Sequence, residues 1–233
     1  MLNRQTHEYH LKRILRDILN DPALGSQLAL KGGTCLYLFY DLPRFSVDLD
    51  FNMVSERDLD VKSMNTVLAK HLDVENGRYK EGESGWLWEA SYEKGQRQFQ
   101  VDVNRQQYPD QYVLKQFYGL SVLTMVPDYV FAHKLCAITD RPKLQNRDLF
   151  DSWFMFNDHR FEINQEIVFI RTGKTVAEYL AELAVFIKKS LKKTSVLHGL
   201  GELLDEKQKT WVKEKLVSEL LAHIEMKVDT LDT

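Results

Sequence analysis

Residues 30–34 read Leu-Lys-Gly-Gly-Thr and residues 44–51 read Arg-Phe-Ser-Val-Asp-Leu-Asp-Phe, and these two stretches decide the fold. The second stretch alternates apolar and polar residues, which predicts a β-strand with one buried face. Asp48 and Asp50 then share the polar face, about 7 Å apart along the strand. Two carboxylates held in this way repel each other unless a cation lies between them or one of them is protonated. The strand therefore predicts a site for a divalent cation, which prefers oxygen ligands.

The first stretch places Gly32 and Gly33 between a predicted buried strand, residues 27–31, and a predicted helix that starts at Thr34. Glycine lets the backbone approach a phosphate closely, and N–H groups at a helix N-terminus attract an anion. A phosphate-binding turn beside paired acids suits metal-assisted phosphoryl or nucleotidyl transfer.

Arg44 and Ser46 share the polar face of the strand with the two acids. Both side chains are placed to contact a phosphate, and a guanidinium can do so with several N–H groups. For Arg44 an alternative stays open, in which it only neutralises the acids when no substrate is bound.

A third acid, Asp102, lies on the polar face of a later predicted strand, residues 97–104. If that strand neighbours the first one, Asp102 completes a site of three carboxylates. The alternative is an ordinary solvated position on a strand.

Composition limits the class of protein. The chain has 233 residues, is 44% hydrophobic and carries a net charge of −3, which argues against a protein that binds nucleic acid through its overall charge. Cys35 and Cys136 lie in apolar helical patterns and are predicted to be buried thiols in a reducing compartment. We find no His/Cys spacing for zinc, no apolar run long enough for a membrane span and no signal-peptide pattern, so a cytoplasmic protein is expected.

Hydrophobic periodicity divides the chain near residue 126. The first part is predicted to contain two helices, at 6–20 and 55–72, which are capped by Thr6 and Ser55. It is also predicted to contain a polar turn at 77–85, a hairpin of strands 86–93 and 97–104 with its turn at Lys94-Gly95, and a strand at 120–126. The second part shows only helical patterns, at 128–139, 147–157, 176–193 and 206–228. We therefore expect an α/β (α+β) fold, in which a mixed sheet flanked by helices is followed by a helical domain.

The order of several motifs resembles a known family. Lys31-Gly32-Gly33-Thr34 and Arg44-x-Ser46-x-Asp48-x-Asp50 are followed by Lys134-x-x-Ala137, Arg141 and Arg147-Asp148-x-x-Asp151. This pattern resembles the nucleotidyltransferase AbiEii/AbiGii toxin family, within the DNA polymerase β-like nucleotidyltransferase superfamily. The resemblance implies a nucleotidyltransferase-like catalytic domain at residues 1–126 and a helical domain at 127–233 that closes the active-site cleft.

The resemblance also implies a role for each matching residue. Lys31, Gly32, Gly33, Thr34, Arg44, Ser46 and Arg147 would bind the nucleotide. Asp48, Asp50 and Asp102 would bind Mg²⁺ or Mn²⁺, with Asp102 placed to accept a proton from the attacking hydroxyl. Lys134 would contact the phosphates or the base from the helical side, and either Asp148 or Asp151 would be the acid of the last motif. If Arg147 pairs with Asp151 four residues later, Asp148 is free for the site; the alternative is a helix face whose salt bridges only support packing.

The implied activity is metal-dependent transfer of a nucleotide from an NTP to an acceptor, with the 3′ end of tRNA among the acceptors. A cognate antitoxin, growth arrest in its absence and a part in phage defence also follow from the resemblance. Two alternatives remain: transfer to a small molecule or a protein side chain, and an inactive protein that binds a nucleotide or a partner. The intact set of acids argues against the inactive protein.

Two further patterns carry weaker predictions. Lys188, Lys189, Lys192 and Lys193 lie on one side of a predicted helix and either contact an RNA backbone or form a solvated face. Trp86, Trp88 and Tyr92 form an aromatic stripe that either packs in the core or stacks on a base.

Overall fold

The computed structural model describes residues 2–93, 98–191 and 196–231. The chain divides into two compact units, Met1–Val126 and Pro127–Thr233. None of the helices within the described ranges is both long and apolar enough to cross a membrane.

The described part of the first unit contains a seven-stranded sheet and three helices. The strands are β1 (Leu28–Lys31), β2 (Asp48–Met53), β3 (Arg78–Gly82), β4 (Gly85–Ala90), β5 (Phe99–Asn104), β6 (Tyr112–Phe117) and β7 (Leu120–Met125). The helices are α1 (Arg4–Asn20), α2 (Gly32–Phe39) and α3 (Val61–Leu68). The strand order is β3-β4-β5-β2-β1-β7-β6.

The sheet is mixed, and its central strands carry the predicted acids. β2 pairs with β5, and β1 with β7, in parallel, whereas the other neighbours are antiparallel. Leu49 and Phe51 of β2 and Val101 and Val103 of β5 are completely buried, so the alternation predicted from the sequence fixes which face carries the polar residues. The predicted α/β fold is confirmed.

The second unit contains only helical elements in its described part. They are α4 (Pro127–Asp140), α5 (Asn146–Phe156), α6 (Gln165–Thr172), α7 (Val176–Ser190), a short 3₁₀ turn (Gly201–Leu203), α8 (Glu206–Trp211), a π-helical segment (Val212–Leu216) and α9 (Val217–Leu231). Trp153 and Trp211 lie 4.2 Å apart between ring centroids, which packs α5 against α8.

Several predicted helix starts are wrong because a different residue caps the helix. α1 begins at Arg4, and the side chain of Asn3 accepts the N–H of Thr6 at 3.2 Å, so Asn3 is the cap. α3 begins at Val61 and ends at Leu68, with Asp60 as its cap, whereas the sequence predicted residues 55–72 capped by Ser55. α2 begins at Gly32, two residues before the predicted start.

Some elements were absent from the prediction, because their polar residues interrupt the hydrophobic periodicity on which it rests. The predicted polar turn at residues 77–85 contains β3, whose side chains are all exposed. β6 and α6 were not predicted at all, and β6 lies at the edge of the sheet with Leu114 62% exposed. β2 begins at Asp48, so residues 44–47 of the predicted strand are not part of the observed one. The predicted hairpin turn at Lys94-Gly95 lies outside the described residues.

Candidate active site

Three acids meet on the polar face of two neighbouring parallel strands. Asp50 of β2 lies directly opposite Asp102 of β5, and Asp48 lies opposite Gln100. Burial raises the pKa of Asp102 to about 6, and the negative charges of Asp50 and Asp48 act in the same direction. The structure therefore brings the three predicted acids close enough to repel one another.

A short chain of hydrogen bonds links Lys31 to the third acid. The ammonium group of Lys31 donates to Asn104 Oδ1 at 2.6 Å, and Asn104 Nδ2 donates to Asp102 Oδ1. Both Lys31 and this bond oppose the rise in the pKa of Asp102. Sequence reasoning missed Asn104, because strand alternation put it on the polar face while nothing connected it to a lysine 73 residues away.

The two glycines at the start of α2 are required by what lies next to them. Gly32 has φ +71°, and a Cβ added there would lie 2.6 Å from Asp50 Oδ2. A Cβ added to Gly33 would lie 2.7 Å from Arg44 Nη2 and 3.1 Å from Ser46 Oγ. The glycines therefore let the first turn of α2 approach both Asp50 and Arg44. The side chain of Lys31, the residue before the helix, makes no capping hydrogen bond to that turn.

Thr34, Arg44 and Ser46 are all buried beside this turn. Thr34 Oγ1 donates to the backbone carbonyl of Asp48 and lies 2.9 Å from Ser46 Oγ. Arg44 is 3% exposed, and its Nη1 donates to the carbonyl of Phe45 at 3.0 Å. Their side chains thus help to join α2 to the entry of β2, while both interpretations of Arg44 stay predictions.

The donor chemistry of this site fits a hard divalent cation, because its acids supply only oxygen atoms and repel each other. Within the described ranges, no three His, Cys, Asp or Glu side chains are already arranged around a common metal position. In this arrangement Asp102 Oδ1 accepts a hydrogen bond from Asn104.

A second charged cluster lies in the helical unit. Lys134 Nζ of α4 is 2.9 Å from Asp148 Oδ1 and 2.9 Å from Asp151 Oδ2, both on α5. Both acids are completely buried, and Arg141 Nε lies 3.2 Å from Asp148 Oδ2. One lysine therefore reaches two acids spaced by about one helical turn, and which of the two acids serves the site stays a prediction.

Replacing Lys134 with methionine is expected to destabilise the protein by about 3 kcal/mol, since two buried carboxylates lose the ammonium group between them and only Asp148 keeps Arg141 nearby. Equilibrium unfolding in urea measures this change. The matched control is Lys188→Met, which removes an exposed lysine whose Nζ lies 3.1 Å from Glu225 and should cost less than about 0.5 kcal/mol. Adding Asp148→Asn and Asp151→Asn to Lys134→Met should restore part of the loss. Equal stability of Lys134→Met and the wild type would contradict the structural role.

The structure bears on the predicted aromatic stripe but not on the whole of the predicted lysine face. Trp86 and Trp88 are 2% and 3% exposed, so they pack in the core, and the guanidinium of Arg105 lies 4.2 Å from the Trp86 ring centroid. Lys192 and Lys193 lie outside the described residues, so RNA contact by the lysine face stays a prediction.

Comparison with solved structures identifies the fold. A putative nucleotidyltransferase from H. pylori superposes with a TM-score of 0.68 at 22% identity, covering all of this chain and 97% of that one. JHP933 from Helicobacter pylori superposes with a TM-score of 0.65 at 21% identity, covering all of this chain and 94% of that one. These likenesses show a nucleotidyltransferase-like fold.

The family model of the AbiEii nucleotidyl transferase toxin, from type IV toxin–antitoxin systems, matches residues 13–220, and the chain belongs to this family. The resemblance drawn from the motifs is thereby confirmed. No curated protein matches the chain significantly.

Proposed function

We propose that this protein transfers a nucleotide from an NTP to an acceptor hydroxyl at the site formed by Asp48, Asp50 and Asp102. The observation that carries the proposal is the register of β2 and β5, which sets Asp50 opposite Asp102 while Gly32 lies against Asp50. A rigid sheet face then holds the acids beside a helix N-terminus that suits phosphate.

Each residue has a proposed task in this reaction. Asp48 and Asp50, with Asp102, would hold a divalent cation, Mg²⁺ or Mn²⁺, and when bound it would neutralise charge on the attacking and leaving oxygens. Backbone N–H groups at Gly32, Gly33 and Thr34 would bind the triphosphate, with Lys31, Arg44 and Ser46 nearby. The acceptor oxygen forms a bond to the α-phosphorus, pyrophosphate leaves, and the proton of the acceptor hydroxyl passes to Asp102 as the general base.

The helical unit is proposed to complete the site. Lys134 and Arg147 would contact the nucleotide, and the domain at residues 127–233 would close over the cleft. Because Lys134 is held by Asp148 and Asp151, the two acids would act by orienting it, so that its ammonium group is fixed before the nucleotide binds.

The proposal also names an acceptor, a partner, a cellular location and a biological context. We propose RNA, with the tRNA 3′ end first, as the acceptor, an antitoxin as the partner, the cytoplasm as the location and phage defence as the context. A surface that such an acceptor could contact is the cavity of about 650 Å³ after the C-terminal ends of β2 and β5, which is lined in part by Arg57, Gln107 and Tyr108 and by none of the three acids.

The test is incubation of the purified protein with each labelled NTP and total cellular RNA, with Mg²⁺, Mn²⁺ or EDTA. Label in the tRNA band that depends on the metal supports the proposal. Label on the protein or on a small molecule supports the alternative acceptors, and label in no fraction with either metal supports an inactive nucleotide-binding or partner-binding protein.

Asp102→Asn is expected to stabilise the metal-free protein while it abolishes transfer. The pKa of Asp102 is about 6 in the folded protein against an ordinary 3.8, so the folded state holds the proton more tightly, and the stability of the wild type falls as the pH rises from about 4 to about 6. Asparagine keeps the oxygen that accepts from Asn104 and removes the charge. At pH 8 in EDTA the variant should be more stable by about 2 kcal/mol.

Urea unfolding of both proteins at several pH values measures the difference, which should vanish near pH 4. A variant that is less stable at pH 8, or a difference that does not change with pH, would contradict the repulsion among the three acids.

A further inference from the structure

Asp48 lies where the sheet no longer supports its backbone on one side. Among the described strand pairs, the ladder between β1 and β2 ends at Lys31 and Asp50, so β1 does not reach Asp48. β5 pairs with Asp48 only from the opposite side, through Gln100. The proposed metal ligand nearest the start of β2 therefore needs another source of rigidity.

Two side chains supply hydrogen bonds at this point. His7 of α1 has its Nε2 2.7 Å from the carbonyl oxygen of Val47, and Thr34 Oγ1 donates to the carbonyl of Asp48. A carbonyl oxygen can only accept, so Nε2 of His7 carries the hydrogen. Consecutive carbonyl groups at the entry of β2 are thus held by a residue of α1 and a residue of α2.

The His7 ring is itself held by three aromatic neighbours, of which Phe99 lies on β5, Phe45 precedes β2 and Tyr92 follows β4. The side chain is completely buried. Its ring stacks on Phe99 at 5.2 Å and 29°, and it meets the edges of Phe45 at 5.9 Å and Tyr92 at 5.7 Å. Phe99 opens β5 three residues before Asp102, and Phe45 lies three residues before Asp48. One imidazole therefore contacts Phe99 at the start of β5 and Phe45 just before the start of β2.

We propose that His7 is a positioning residue for the carboxylate site, which holds Asp48 at a fixed place relative to Asp50 and Asp102. This inference rests on the proposed function, in which Asp48 is a metal ligand. His7 does not touch substrate or metal in this role; it acts through the carbonyl of Val47. Residues that orient ligands in this way typically change metal affinity by about 10-fold to 100-fold when they are replaced.

The test uses variants of the full chain that separate the hydrogen bond from the packing. His7→Phe keeps an aromatic ring and removes the N–H donor, whereas His7→Gln supplies an amide N–H and removes the ring. The matched control is His10→Phe on the same helix, because His10 stacks on Tyr92 at 4.5 Å and 10° and its replacement keeps that stack.

The measurements are the dissociation constant for Mn²⁺, from electron paramagnetic resonance, and the amide hydrogen exchange of Leu49 and Asp50. His7→Phe is expected to weaken Mn²⁺ binding about 10-fold and to speed exchange, while His7→Gln stays within about threefold of the wild type and His10→Phe is unchanged. If His7→Phe does not fold, Thr34→Val and Thr34→Ser test the same idea, since only serine retains the hydroxyl.

Equal Mn²⁺ affinity of His7→Phe and the wild type would overturn the role of His7, as would an equal loss in His7→Phe and His10→Phe. With the Thr34 pair, equal affinity of the two variants would overturn the idea that hydrogen bonds to the carbonyl groups at the entry of β2 position Asp48. Two other outcomes would contradict the proposed metal site rather than the role of His7. They are a wild type that does not bind Mn²⁺ and an Asp48→Asn variant that binds Mn²⁺ with wild-type affinity.

Discussion

Asp50→Asn is expected to lower kcat/KM for nucleotidyl transfer by roughly 10³-fold or more, because a metal ligand contributes several kcal/mol to the transition state. Asp50 is the point where the elements of the first unit converge. It pairs with Lys31 of β1 and with Asp102 of β5, and Gly32 lies against its carboxylate. Asparagine has the same shape, so the fold should persist while the charge is lost.

Transfer of labelled nucleotide and Mn²⁺ binding both measure this effect. The matched control is Glu83→Gln, which neutralises an exposed acid in the turn between β3 and β4 and should leave both readouts at the wild-type level. Wild-type transfer by Asp50→Asn would remove the carboxylate site from the mechanism. Loss of transfer with unchanged Mn²⁺ binding would place the defect at a later step than metal binding.

Gly32→Ala is the second substitution with a large expected effect. The new Cβ would lie 2.6 Å from Asp50 Oδ2, so the carboxylate must move. A misplacement of about 1 Å at a reacting centre can cost about 100-fold in rate. The left-handed backbone at φ +71° adds a strain of about 1–2 kcal/mol for any residue other than glycine.

Gly173→Ala separates these two causes. Gly173 ends α6 with φ +71°, the same value as Gly32, but a Cβ there would meet nothing within 4 Å. Both variants should lose about 1–2 kcal/mol of stability in urea unfolding, and only Gly32→Ala should lose transfer by about 100-fold. Equal activity of the two variants would show that the contact between Gly32 and Asp50 has no part in the reaction.

The sequence predicted the acids of the site better than the boundaries of the elements around them. Alternation along β2 and β5 identifies Asp48, Asp50 and Asp102, because a strand with a fully apolar face has one permitted register. The caps of α1 and α3 were misplaced, because Asn, Asp, Ser and Thr can all cap a helix and only the folded backbone shows which one does.

Contacts between residues far apart in the chain were not predictable from the pattern. His7 at Val47, Lys31 at Asn104 and Lys134 at Asp148 each join elements that come together only on folding. A buried histidine on an apolar helix face looks like an ordinary core residue, and the residues next to Lys31 and Lys134 in the sequence do not indicate their partners. Nothing in local periodicity distinguishes these cases.

By itself, the sequence determined the class of fold and the family, because both depend on patterns of hydrophobicity and residue type along the chain, and the same patterns predicted the three acids of the proposed site. Only the tertiary structure decided that Asp50 faces Asp102, that Gly32 gives room to Asp50 and that His7 holds the entry of β2. The physical reason is that strand order and side-chain contact depend on the packing of the whole unit. A register of hydrogen bonds between β2 and β5 cannot be read from either strand alone.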